Sequence, residues 1–559
     1  VISPLIALMK DQVENLKKKK IKADALFSGQ SFNEQMRIID NVVYNNTKFL
    51  YVSPERLKTD FFLLNIEKLN ISLIAVDEAH CISQWGYDFR PPYLDIAEIR
   101  QYLPNVPILA LTATATPRVV KDIQDKLKFK KYNVLQKSFE RKNLSYLVYK
   151  EDNKLGRLLR IAKNVEGTGI VYMRNRRGTV EIAKYLKDNG VSADFYHAGL
   201  SDKVRNSKQN DWKKDKTRVI VATNAFGMGI DKPNVRFVVH IDIPDNIESY
   251  FQEVGRAGRD EKPAFGVLLY NDTDVENLNM RFRETYPDIK DIQNIYILLG
   301  KYYRLSKGDA VNETFDFDIS AFSQAYNLKS SIVYNSLKIL EVQEAIVLSE
   351  AFHSPSRVMV KANRTELRNY QEQHKELDVF LQMLLRMYGG LFSEYVKIDE
   401  KLLSRQLNTT ENDVVEMLKF VSGHNIIDYI PSSDTPKITF PIGYIDSKAV
   451  FSDVSYYKER KRVAKEKLNY MIAYVTNSTK CRSSMLLQYF GEDNNNARCK
   501  VCDYCRNKAN TTNRKLVYDE ITTKVLPLLK EKTLTMEQIH SAIPEIETND
   551  LIACFRWLI

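Results

Sequence analysis

The chain has 559 residues and a formal net charge of +11, with 44% hydrophobic and 27% charged residues. That composition excludes a disordered or low-complexity chain and allows about three to five domains with full-sized cores. No apolar run reaches the roughly 18–20 residues of a membrane-spanning helix, and no secretory signal is visible. The positive balance suits a polyanion partner.

The first 270 residues read as α/β. Short apolar strands (KFLYVS, LIAVDEA, PILALTATAT, GIVYM, SADFYHA, TRVIVATNAF, VRFVVHIDI) alternate with helical patterns, which predicts parallel sheets with helices on both faces. The length exceeds one domain, so two similar lobes are expected, 1–135 and 136–285, joined near residues 130–145. Lys17 to Lys20 read as a solvated basic face at a helix end. Residues 286–365 read helix, turn, longer helix and two short strands around a His-Ser-Pro-Ser turn, the order of a winged helix. Residues 366–448 repeat that order, with a hairpin around Ser-Ser-Asp-Thr-Pro. Residues 449–510 hold a long basic helix, SYYKERKRVAKEKLNYMIAYV, and then four cysteines. Residues 511–559 read as a partial helical, winged-helix-like segment starting near Leu516 and ending without a wing.

Three constellations carry chemistry. A buried strand ending in Asp77 and Glu78 puts two carboxylates at the carboxyl edge of a parallel sheet, where ligands bind. Asp77 can hold Mg²⁺, and Glu78 can orient and deprotonate an attacking water; the bland alternative is a helix N-cap. In SYFQEVGRAGRD, Arg256 and Arg259 stand three apart with Gln252 upstream and Gly255 and Gly258 beside them. Such spaced guanidinium groups can grip a γ-phosphate; the alternative is a surface arginine pair. The matching phosphate loop, G-x-x-x-x-G-K-[ST], does not occur in the sequence. Among six cysteines, Cys481, Cys499, Cys502 and Cys505 follow C-x17-C-x2-C-x2-C. Six are too few for a disulfide framework in a chain this long and fit a reducing compartment. The four can close a tetrahedral zinc site, which would be structural because four Cys leave no open position; the alternative is a redox Cys-x-x-Cys. Cys81 and Cys554 read as core residues.

DEAH, LTATAT, ATNAFGMGIDKPNVRFVVH and QEVGRAGRD, in that order, resemble superfamily 2 helicases. CISQWGYDFRPPY and CRSSMLLQYFGED…CKVCDYC narrow the resemblance to the RecQ family. It covers residues 1–270 closely and the cysteine segment again. It implies an α/β fold of two RecA-like lobes with parallel sheets, followed by α+β winged-helix units and a small four-Cys zinc module. It also implies an ATP-dependent 3′–5′ DNA helicase of recombination and repair, with ATP, Mg²⁺ and Zn²⁺ as cofactors. The implied partners are single-stranded and forked duplex DNA and a single-strand-binding protein, with no membrane, in a bacterial cytoplasm or nucleoid.

By that resemblance Ser3, Pro4 and Ser53 touch the DNA backbone. Trp85, Phe89 and Arg90 sense single-stranded DNA by stacking and charge and relay its presence to Glu78. His80, Thr112 and Thr114 couple hydrolysis to motion. Gly229 and Asp231 line the nucleotide cleft with Arg256 and Arg259, and Arg176, His197 and Thr223 are contacts of the second lobe with nucleic acid. Val1 would then lie inside an early motif, so a glycine-rich loop is expected upstream and truncation is expected at both ends. There are departures. Tyr87 stands where the family often has His, and it cannot take a proton near neutral pH. Tyr172-Met173-Arg174-Asn175-Arg176 lacks the commoner Cys and Ser. Roughly 220 residues separate Arg259 from Cys481, where the best-known members place the zinc module almost directly after lobe two. Two other readings are a non-catalytic DNA-binding remnant and an RNA helicase of the same superfamily. The intact Glu78, Arg256 and Arg259 stand against the first, and the aromatic loop and cysteines against the second.

Overall fold

The computed structural model describes residues 1–559 except 84, 86–89, 228–229, 350–355, 389, 393–394, 432–435, 493–497 and 559. Two compact units form: Val1–Met280 with Arg460–Ile559, and Arg281–Glu459.

In the first unit, lobe one contains β1 (Ala23–Leu26), β2 (Phe49–Val52), β3 (Ile74–Val76) and β4 (Ile108–Ala110). β1 pairs with β2 and β3 with β4, both parallel. The first residues of the chain join the two pairs, because Ile2 bridges Val52 and Val76 in parallel. Val52 N–H donates to the Val1 carbonyl at 2.8 Å and Asp77 N–H to the Ile2 carbonyl at 2.9 Å. Ile2, Leu26, Val52 and Val76 form the core with Ile38 and Ile39 of helix Phe32–Tyr44 and Val119 and Ile123 of helix Pro117–Lys126. A strand buried on both faces must be apolar throughout, as Ile74 and Val76 are. Lys17 to Lys20 are exposed at the end of helix Ile6–Lys18, where cations suit the helix dipole.

Lobe two is a six-stranded parallel sheet of β5 (Leu144–Lys150), β6 (Thr168–Tyr172), β7 (Ala193–Tyr196), β8 (Val219–Ala222), β9 (Val235–His240) and β10 (Ala264–Tyr270), ordered β5-β10-β9-β6-β8-β7. The expected joint between the lobes is irregular through residues 131–141.

The second unit departs from the two tandem winged helices expected. Its strands are β11 (Glu313–Asp316), β12 (Val347–Ser349), β13 (Arg357–Val360), β14 (Val396–Lys397), β15 (Ile427–Ile430) and β16 (Lys437–Phe440). The expected hairpins would pair β12 with β13 and β15 with β16. Instead β16 lies between β11 and β12, and β13 between β14 and β15, all antiparallel. The two cores separate in the same way. Ile292, Phe322, Leu337, Ile438 and Phe440 form one core; Val358, Phe380, Leu403, Leu418 and Tyr429 form the other. One winged-helix-like domain is therefore inserted between the last two strands of the other, and the expected boundary at 365/366 falls inside the inserted domain. Sequence adjacency makes a hairpin the default pairing, but burial of β13 on the inserted core and β16 on the outer core decides otherwise. The two turns expected to close those hairpins lie largely outside the described residues.

The last part of the first unit runs from Arg460 along helix Ser455–Thr476 to helix Arg482–Tyr489. The segment expected to start near Leu516 is instead part of one helix, Asp503–Glu531, which begins at the cysteines. Cys502 caps that helix, its Sγ accepting from Cys505 N–H, so the metal-site turn runs directly into it and no boundary falls at 510/511. Among the described residues, no helix is long and apolar enough to cross a membrane.

Candidate functional site

β3 delivers Asp77 and Glu78 to its carboxyl end. Asp77 is held from both sides: its Oδ1 accepts Glu78 N–H at 3.0 Å and its Oδ2 accepts the Ser3 hydroxyl at 3.4 Å. Burial raises the carboxyl pKa, partly offset by those two donors. Glu78 has φ 47°, in the left-handed region, a conformation that costs a non-glycine residue about 1–3 kcal/mol. Its Oε2 lies 3.4 Å from Nδ1 of the fully buried His80. That nitrogen is 3.0 Å from Thr112 Oγ1, which in turn accepts Thr114 N–H at 3.4 Å. His80 thus joins Glu78 to the Thr112 segment, where the expected coupling residues lie.

Ser3 and Ser53, expected to touch DNA, have relative exposures of 0% and 4%. Ser3 adjoins the residue that bridges the sheet, and its hydroxyl serves Asp77, so it holds the acid instead of facing solvent. Pro4 is tied to the aromatic segment, its carbonyl accepting from Arg90 at 3.2 Å. Trp85 is half-buried, with the Arg118 guanidinium 4.0 Å from its ring centroid. Phe89 and Tyr87 lie outside the described residues.

In lobe two, helix Ile247–Val254, capped by Asn246, carries the half-buried Gln252 and leads to the arginines. Arg256 is buried and donates to the Gly227 carbonyl at 2.6 Å. Arg259 is exposed and pairs with Asp231 at 2.8 Å; Gly229 lies outside the described residues. Two residues the sequence reading missed brace this turn. Arg141 donates to the Ala257 and Gly258 carbonyls at 3.0 and 2.9 Å, and Asn143 to Gly258 at 2.7 Å. Gly258 has φ +63°, and a Cβ there would lie 2.5 Å from Asn143 Nδ2, so only glycine fits. Nothing in the local spacing marks Arg141; its partners lie more than a hundred residues away.

Arg176 and His197 converge at Gly199, where an added Cβ would meet Arg176 Nη1 at 2.9 Å and His197 Nδ1 at 3.3 Å. Burial and the Arg176 charge lower the His197 pKa. Thr223, expected to touch DNA, is buried, and its hydroxyl accepts Ala225 N–H at 3.4 Å. It shapes the turn after β8.

The ligand atoms of Cys481, Cys499, Cys502 and Cys505 lie within 4.8 Å of one another. Zn–S bonds of about 2.3 Å set tetrahedral sulfurs about 3.8 Å apart, so the cluster fits such an ion. Arg482 pairs with buried Asp503 at 2.9 Å and ties the two cysteine segments together. Cys81 and Cys554 are core residues, as expected.

Family comparisons follow this division. Residues 1–123 match the DEAD/DEAH box helicase model and residues 151–261 the helicase conserved C-terminal domain. These two matches fall on lobe one and lobe two. Residues 358–431 match the RecQ helicase winged-helix domain of Bacteroidota, covering the inserted domain, and residues 442–506 match RecQ zinc-binding. These two RecQ-specific models match separate parts of the chain, beside the two general helicase models. The ATP-dependent DNA helicase RecQ of Pasteurella multocida is 46% identical over 275 residues, 49% of this chain and 44% of that protein. The Bacillus subtilis protein of the same name is 45% identical over 278 residues, 49% of this chain and 47% of that one. The chain spans about half the length of the curated relatives it matches.

Proposed function

We propose that the chain is the ATP-hydrolysing and DNA-translocating part of a RecQ-type DNA helicase. Asp77 holds the Mg²⁺ of bound ATP, Glu78 positions and deprotonates the attacking water, and Arg256 and Arg259 neutralise charge on the γ-phosphate. Trp85, Arg90, Arg176 and His197 contact the tracked strand. Zn²⁺ fills the four-cysteine site and acts structurally. A single-strand-binding protein is a proposed partner, and a bacterial cytoplasm the proposed location. The observation that carries this reading is the pair Asp77–Glu78 at the end of β3. Glu78 is kept there in a strained conformation and linked through His80 to Thr112, an arrangement with no use in a passive binding protein. The RecQ-specific matches support DNA over RNA.

The test is ATP hydrolysis by the full gene product containing these residues, with and without single-stranded DNA. Stimulation by DNA is expected, together with unwinding of a 3′-tailed duplex. Hydrolysis stimulated only by RNA, or DNA binding without any hydrolysis, would overturn the reading.

A further inference from the structure

Glu248 lies on helix Ile247–Val254, the helix that leads to Arg256 and Arg259, and is only 2% exposed. The Lys467 ammonium is 2.7 Å from its Oε1. The same ammonium donates to the main-chain carbonyl of Trp85 at 2.7 Å. Tyr489 also faces Glu248, and burial together with that charge drives the phenol pKa up. One cation from the basic helix thus holds an acid of lobe two and the sensor segment of lobe one. A buried ion pair is poor stabilisation, since desolvation offsets most of its attraction and an apolar pair often does as well. Retaining one with a third partner points to geometry as its purpose.

The surroundings repeat this bridging. Glu492 accepts from the Ser138 hydroxyl and Phe139 N–H of the joint between the lobes, each at 2.7 Å. Phe490 stacks on Phe139 at 4.6 Å and lies 4.9 Å from Phe251 of lobe two. Gly491, at φ +84°, comes so close to Pro117 of lobe one that a Cβ would meet Pro117 Cγ at 2.5 Å. Pro117 begins the helix that carries Arg118, whose guanidinium covers Trp85. The basic helix and the zinc module therefore touch lobe one, the joint and lobe two together.

We infer that Lys467 is a positioning residue that ties Trp85, through Glu248, to the helix that leads to the arginine turn, so that stacking of a nucleic-acid base at Trp85 is transmitted to Arg256 and Arg259. This rests on the function proposed above. Movement of the Trp85 carbonyl loosens or tightens the Lys467 ammonium on Glu248, and Glu248 sits in the first turn of the short helix Ile247–Val254 that runs into the arginine turn. The path crosses the lobes without passing through the Glu78–His80–Thr112 link.

The experiment compares Lys467→Met and Lys467→Arg in the full gene product. Lys467→Met is expected to lower DNA-stimulated ATP turnover about ten-fold while basal turnover and zinc content stay at the unsubstituted level. Lys467→Arg, which restores the cation, recovers most of the stimulation. Equal loss of basal and stimulated turnover, or no loss, overturns the inference. A second readout does not depend on hydrolysis: acrylamide quenching of Trp85 emission, taken as the difference from the Trp85→Phe protein. Quenching rises in Lys467→Met and returns toward the original value in Lys467→Arg; unchanged quenching overturns the tie. Absence of ATP turnover in the unsubstituted product overturns the helicase reading instead, and the two failures are separable.

Discussion

The two compact units use charge differently. Residues 281–459 carry 21 Lys and Arg against 25 Asp and Glu, a net of −4, so the first unit carries +15. Several cations of the second unit are already matched locally: Lys361 with Asp428 at 3.0 Å, Lys329 with Glu284 at 3.1 Å and Lys307 with Asp446 at 2.5 Å. In the first unit cations outnumber acids, although some are paired as well: Arg259 with Asp231 at 2.8 Å and Lys467 with Glu248 at 2.7 Å. Winged-helix architecture alone does not make a polyanion-binding surface. Phosphate contact follows net positive charge, and the net positive charge of the chain lies in the first unit. The second unit reads as two interleaved scaffolds with cores of their own.

The largest test of this contrast is Glu78→Gln. It should lower ATP turnover by about 10²–10⁴-fold with single-strand affinity retained, leaving the winged-helix unit unaffected. Normal turnover would remove Glu78 as the base and with it the chemical half of the contrast. Next is Asp503→Asn, which frees Arg482 beside the metal site. Competition with a chelator should show zinc affinity falling about 10–100-fold; an unchanged value means the ion pair serves only packing.

A smaller effect is expected from removing the inserted domain, residues 357–430, and closing the antiparallel pair β12–β16 with a short turn. The slope of log affinity for single-stranded DNA against log salt should change by less than about 1. A larger change would place phosphate contacts in the second unit and break the contrast. The smallest effect is that of Asp77→Asn on thermal stability. The native carboxyl pKa is raised by burial, so the ionised acid costs stability above that pKa and the cost vanishes below the ordinary carboxyl range. Asp77→Asn should therefore melt higher than the unsubstituted chain at pH 8, with the gain shrinking as pH falls toward 4. A gain that does not depend on pH would mean that something other than the charge is responsible.

The geometry of the candidate site is legible in the sequence where its residues are close together in the chain. Asp77–Glu78, the arginine turn and the four cysteines each occupy short strings, and a strand end, a glycine-flanked turn and a Cys-x2-Cys loop constrain their neighbours directly. The strings around Ser3, Ser53 and Thr223 show residue type but not burial, and all three side chains are buried. Ser3 turns inward because Ile2 pairs with Val52 of β2 and with Val76 of β3, contacts that span fifty residues or more of sequence. Arg141 and Lys467 escaped notice for the same reason: a cation acquires its role from the carbonyl or carboxylate it reaches, and neither partner is nearby in the chain.

The sequence by itself determined the parallel α/β character of the lobes, the position of the acids at a strand end, the arginine turn and the four-cysteine cluster. Periodicity, turn chemistry and ligand spacing act over a few residues, so they can be read from the string. Only the tertiary structure decided which strands pair in the second unit, that one winged-helix-like domain sits inside the other, and that Lys467 joins Trp85 to Glu248. Those outcomes depend on which apolar faces and buried charges find each other after long loops close. Loop closure costs little more for a distant partner than for a near one, so proximity along the chain cannot settle them.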